Sequence, residues 1–221
     1  MTNPTMRKYL LTIVFVLLMG FSVKSQDTVR IVHTNYTSVF SISKHYPVLV
    51  EWWVTKAKAT CPKQLPRKDQ FQEDPKLSKE TNLEEDYLNS GYDRGHMCAA
   101  IYNECQGDQV LTECFYFSNI VPQFHALNAG DFKSVETLTK DLSLVNDSVH
   151  VWAGSVGEAK KIGKKILISV PTQYWKVIYI VKLKQYQAYV FNNTNNKQLG
   201  IKAHLVNLNV VQSLTGFKFN H

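Results

Sequence analysis

Gly91-Tyr92-Asp93-Arg94-Gly95-His96-Met97 places an acid, a guanidinium and an imidazole within four positions around a glycine. Residues two apart on a strand share a face, so a strand over residues 92–98 turns Arg94 and His96 the same way and Asp93 the other. An imidazole accepts a proton near neutral pH, and a neighbouring guanidinium matches the geometry of a phosphate. The bland alternative is the charged end of a surface strand, and a motif this short does not decide between the two.

Moving C-terminally, residues 115–121 (FYFSNIV) read as a second short strand, with a loop holding Asn103, Gly107 and Asp108 between the two. Ser118-Asn119-Ile120-Val121-Pro122-Gln123 then leads into Leu127-Asn128-Ala129-Gly130. Phe132, Val135, Leu138 and Leu142 recur at steps of three and four, which predicts a helix over residues 128–142. On that helix Asn128 and Glu136 stand two turns apart, at roughly 80° of rotation. The amide oxygen of Asn128 is a donor that magnesium accepts, because that cation prefers oxygen and keeps most of its waters. Taken singly, Asn128 equally suits a helix cap and Glu136 an i,i+4 pair with Lys140.

On either side of this core the pattern is dominated by strands. Residues 28–33 and 48–54 are rich in β-branched and aromatic side chains, as are 148–153, 166–170, 175–183 and 186–191. Residues 56–86 are polar and carry Pro62, Pro66 and Pro75, which predicts a long surface loop; an amphipathic turn or helix is expected around 206–214. Many strands with few helices make an α+β domain built on a substantial antiparallel sheet.

At the N-terminus, Arg7 and Lys8 precede an apolar run from Leu10 to Phe21 and a small-residue exit at Ser25. That pattern predicts a secretory signal over residues 1–25 and a single domain over 26–221, with a secreted or periplasmic location. The run is shorter than the roughly 20 residues of a bilayer span, so no membrane association is expected after cleavage. The formal charge is +7, and loss of Arg7, Lys8 and Lys24 leaves about +4, which permits a polyanionic partner without identifying one. Cys61, Cys98, Cys105 and Cys114 form an even set that favours disulfides after export, in one of three connectivities. There is no CxxC pair or finger-spaced histidine pair of the kind zinc uses.

Taken together, Asp93-Arg94-Gly95-His96, then Ser118-Asn119 to Pro122-Gln123, then Leu127-Asn128-x-Gly130 and Glu136, resemble the DNA/RNA non-specific endonuclease family. Flanking elements extend the resemblance: Arg67 with Phe71 and Asp74-Pro75, Val151 to Ser155, Val170 to Val177, and Leu214 to Phe217. It implies a ββα-metal (His-Me) finger on the antiparallel sheet and cleavage of DNA and RNA through the phosphate backbone. It further implies His96 as general base, Asn128 as direct magnesium ligand with manganese as a substitute, and Glu136 acting through metal-bound water. Arg67 and Arg94 would steady phosphate charge, Asn119 would support the site, and products would carry 5′-phosphates. A homodimer is compatible with this picture, and Cys98, which departs from the family pattern, could brace the finger through a disulfide. The competing readings are a nucleic-acid-binding module without catalysis and a phosphodiesterase for small molecules or lipid headgroups. An exported toxin restrained by an immunity partner is a third.

Overall fold

The computed structural model describes residues 27–60, 70–77, 82–196 and 199–221. The segments 1–25 and Arg67, on which the signal and one arginine were predicted, lie outside the described residues. In chain order the strands are β1 (Thr28–Val32), β2 (Tyr36–Ser41), β3 (Tyr46–Thr55), β4 (Asp93–His96), β5 (Ile120–Gln123) and β6 (Ser148–Val156). They continue as β7 (Lys160–Ile162), β8 (Ile168–Val170), β9 (Gln173–Ile180), β10 (Gln185–Asn192) and β11 (Leu205–Val206). Seven of them form one antiparallel sheet in the order β1-β2-β3-β6-β9-β10-β11, while β4-β5 and β7-β8 are separate two-stranded antiparallel pairs.

Alternation along the central strands gives the sheet two apolar faces. Val149, Val151 and Ala153 of β6, with Tyr174 and Ile178 of β9, join one cluster. Trp152, Trp175, Val177 and Tyr179 join the other, where Val211 of the helix Leu208–Thr215 and Phe219 cover them. The first face receives the helix Lys133–Asn146 through Phe132, Val135, Leu138 and Leu142, the four positions whose spacing predicted it. Burial of an aromatic such as Phe132 contributes ~1.5–3 kcal/mol to this docking. The fold is thus the expected α+β arrangement, with β4, β5 and that helix mounted on one face of the sheet.

Three local expectations are corrected. Residues 115–121 are not a strand: Phe117–Asn119 make one 3-10 turn and β5 begins at Ile120. Where a loop was expected, Asp108–Cys114 form a helix, because Val110, Leu111 and Cys114 find buried partners that two turns of periodicity do not reveal. Cys98 is a free, buried thiol, as is Cys114, so neither braces the finger through a disulfide. Cys98 sits in the sheet-facing core, takes a hydrogen bond from Asn103 Nδ2 at 3.6 Å, and burial pushes its thiol up to about 12. Among the described residues no helix is long and apolar enough to cross a membrane.

Buried carboxylates pin the loops. Asp74 accepts from Ser118 Oγ at 2.5 Å and meets His33 Nε2 at 2.8 Å; Asp86 accepts three amides, from Lys164, Lys165 and Ile166. Asp131 accepts from Leu199 and Gly200 and meets His204 Nε2 at 3.0 Å. Burial opposes ionisation of all three, but the hydrogen bonds outweigh it and hold each carboxyl below its ordinary value. A carboxylate depressed in the folded state stabilises it fully above the unfolded value of about 3.9 and ceases to do so as pH falls through the folded value. The urea midpoint should therefore hold between neutral and mildly acidic pH and drop in strong acid. Asp86→Asn should remove part of that drop. A wild-type midpoint indifferent to acid would contradict the role given to these groups.

Candidate active site

β4 and β5 run antiparallel with Asp93 opposite Gln123, Gly95 opposite Val121 and His96 opposite Ile120. Glycine is needed at position 95 because a Cβ there would lie 1.9 Å from Gln123 Oε1, inside the buried side chain of the facing strand. The His96 ring stands at the end of β4, 5.0 Å from the edge-on ring of Phe115 and 5.5 Å from Phe71. Behind it, Asn119 is fully buried. Its Oδ1 accepts from the Cys98 amide at 2.8 Å, and its Nδ2 donates to the Cys98 and Cys114 carbonyls at 2.9 Å. Asn119 thereby fixes the chain just past His96.

The helix bearing the acid does not begin at Asn128. A turn over His125–Leu127 precedes it, and Asn128–Phe132 form a π-type segment in which Gly130 leaves helical geometry at φ −106 and ψ −115. Such bulges recur at functional sites because they re-aim a side chain without ending the helix. Asn128 is itself helical (φ −58, ψ −51), so the cap reading does not apply to it. Its Nδ2 donates to Asp93 Oδ2 at 2.9 Å, and His125 Nδ1 meets the same oxygen at 2.9 Å. With the amide nitrogen committed to a carboxylate, the amide oxygen of Asn128 is the atom left for a ligand.

His96, Arg94, Asn128 and Glu136 line one cavity of about 460 Å³, together with Lys133. A neighbouring cavity of about 330 Å³ is lined by Tyr92, Asp93, Arg94 and Asn128 among others, so Arg94 and Asn128 border both. Arg94 Nη1 contacts Glu84 Oε1 at 2.6 Å, and its guanidinium lies 4.4 Å over the Phe71 ring. Beneath the cavity, Lys176 is fully buried on β9, with Nζ 3.9 Å from Glu136 Oε1 and 4.0 Å from the Phe132 ring centroid. Burial lowers the ammonium's pKa, and the Glu136 carboxylate opposes that shift.

Four of the six predicted site residues thus share one cavity, Asn119 stands behind it, and Arg67 lies outside the described residues. The sequence reading missed Asp93, which it turned away from the site: Asp93 opens β4 opposite Gln123, where β5 ends and the turn leading to Asn128 begins, and its carboxylate accepts from Asn128. It also missed Lys176, whose signal was a lysine at a core-facing position within the apolar run Tyr174 to Ile180. Asn128 and Glu136 offer only oxygen donors, a set that fits a hard cation retaining several waters rather than one needing a full protein cage. Among the described residues no group of three or more His, Cys, Asp or Glu is placed to hold a metal.

A family model described as DNA/RNA non-specific endonuclease matches residues 16–221. Mitochondrial nuclease EXOG of Mus musculus is 30% identical over 172 residues, covering 72% of this chain and 45% of that protein. The Danio rerio EXOG is 36% identical over 124 residues, 51% of this chain and 36% of its own length. Mitochondrial endonuclease G of Bos taurus is 27% identical over 150 residues, covering 61% of this chain and 50% of that protein. The matched region spans a third to a half of the length of these relatives. A crystal structure of an EndoG/EndoGI complex superposes with a TM-score of 0.77 at 25% identity, over 86% of this chain and 84% of that one.

Proposed function

The chain belongs to the DNA/RNA non-specific endonuclease family, and from that membership we propose that it hydrolyses phosphodiester bonds of DNA and RNA without reading base sequence. The observation that carries the proposal is the shared cavity, which His96 and Asn128 line together while the Asn128–Asp93 bond leaves the amide oxygen uncommitted. Neutral His96 takes a proton from water as the water oxygen bonds to phosphorus in line with the departing 3′ oxygen. The departing 3′ oxygen takes a proton from solvent water, so cleavage in that direction leaves 5′-phosphate and 3′-hydroxyl ends. Arg94 exchanges its Glu84 partner for a phosphate oxygen, its planar donors suiting that geometry, and Arg67 is proposed to share the task. Asn128 would hold magnesium directly, or manganese in its place, with Glu136 acting through its bound water, and the cation would supply positive charge to the reacting phosphate. Asp93 keeps the Asn128 amide from turning over, and Lys176 stands against the Glu136 carboxylate from below.

Residues 26–221 are proposed to act as one exported domain after loss of residues 1–25, in an oxidising compartment. A half-cystine at Cys105 supports that reading. The test is to incubate the purified protein with circular DNA, homopolymer RNA and a small phosphodiester, with magnesium and with chelator. Nicking of the circle and shortening of the RNA only with magnesium, leaving ends that a ligase accepts, is expected. Retention of both polymers without cleavage would replace the proposal with a binding module. Turnover of the small ester alone would replace it with a phosphodiesterase.

A further inference from the structure

The β7–β8 hairpin carries four exposed lysines within six positions, Lys160, Lys161, Lys164 and Lys165. A run of lysines is ordinarily a solvated face, but two features set this one apart. First, the hairpin is held rigidly. The Asp86 carboxylate accepts the amides of Lys164, Lys165 and Ile166 at 2.9, 2.8 and 3.2 Å, and Gly163 (φ +111) makes a turn that leaves no room for a Cβ beside the Ile166 carbonyl. Ile162 and Ile168 are buried against Tyr87 and Phe117, which ties the hairpin to the body of the domain.

Second, the hairpin abuts the cavity next to the active site. Lys160 Nζ lies 5.0 Å over the ring of Tyr92, and Tyr92 lines the cavity that also contains Arg94 and Asn128. The adjacent acids Glu84 and Glu85 bridge the same two regions: Glu84 pairs with Arg94 at 2.6 Å, and Glu85 with Lys165 at 2.7 Å. The cations of site and hairpin therefore form one strip, Arg94 to Lys165 along the acids and Arg94 to Lys160 across Tyr92.

We propose that the β7–β8 hairpin is a phosphate-backbone track on which nucleic acid flanking the cut bond rests, with Lys160 and Lys164 as its principal contacts. This rests on the nuclease reading, since a track needs a polymer that extends beyond the cavity. Lysine contacts a phosphate as a mobile point charge and reads no base, which suits an enzyme indifferent to sequence. Each phosphate neutralised releases counterions and adds about 0.9 to the slope of log affinity against log salt for duplex DNA.

The experiment measures duplex DNA binding by the full chain in chelator across a salt series, alongside KM on the same DNA with magnesium. Lys160→Gln/Lys164→Gln is compared with the charge-matched pair Lys182→Gln/Lys184→Gln, exposed at the β9–β10 turn. The hairpin pair should lower the slope by about 2 and raise KM; the control pair should match wild type. Equal slopes in all three proteins, with wild type still cutting DNA, would overturn the track and leave the nuclease reading intact. Wild type that binds with the hairpin-dependent slope yet never cuts would uphold the track and remove the nuclease reading. Hairpin-dependent binding to phosphatidylserine vesicles with no effect on DNA would also overturn the track, giving the surface to a membrane instead.

Discussion

His96→Ala should lower the rate of phosphodiester cleavage by roughly 10²–10⁴-fold, the range typical of losing a general base. The ring stands at the end of β4 beside Phe71 and Phe115, and its cavity is shared with Arg94, Asn128 and Glu136. Removing it takes away the proton acceptor but leaves the β4–β5 ladder and the Asn119 clamp in place. The loss should accordingly appear in kcat on circular DNA, with little change in salt-dependent binding measured in chelator. Turnover near the wild-type rate would remove His96 from the mechanism.

Asn128→Ala should cost on the order of 10²–10³-fold and shift the magnesium concentration needed for half-maximal cleavage upward. The figure follows from the several kcal/mol that a metal ion contributes against phosphoryl charge, with each ~1.4 kcal/mol worth tenfold in rate. Asn128→Asp keeps an oxygen but sets a second carboxylate against Asp93, whose Oδ2 now accepts the amide at 2.9 Å. It should fall between wild type and alanine. An unchanged magnesium titration in the alanine variant would place the cation elsewhere.

Much of this site was legible in the chain because its elements are close in sequence. Arg94 and His96 lie two apart, and the spacing of Phe132, Val135, Leu138 and Leu142 announced the helix that brings Glu136 to the sheet. What the sequence concealed was set by tertiary contact. No periodicity announces the π segment at Asn128–Phe132, which breaks the straight-helix phase between Asn128 and Glu136. The Asp93–Asn128 bond spans 35 positions and depends on the turn over His125–Leu127. β2 escaped notice because Thr37, Ser38 and Ser41 interrupt its apolar pattern. Ser38 and Ser41 are nevertheless buried, and Ser38 Oγ donates to the Ser118 carbonyl at 2.6 Å. Cys98 and Cys114 misled in the same way, since an even count says nothing of which thiols the core encloses.

Manganese binding followed by electron paramagnetic resonance tests, without reference to turnover, whether a hard cation is held at Asn128 in the cavity that His96 lines. Wild type and His96→Ala should each take up one manganese ion per chain that magnesium displaces, while Asn128→Ala should bind it far more weakly. Equal uptake by Asn128→Ala and wild type would remove Asn128 as the metal ligand.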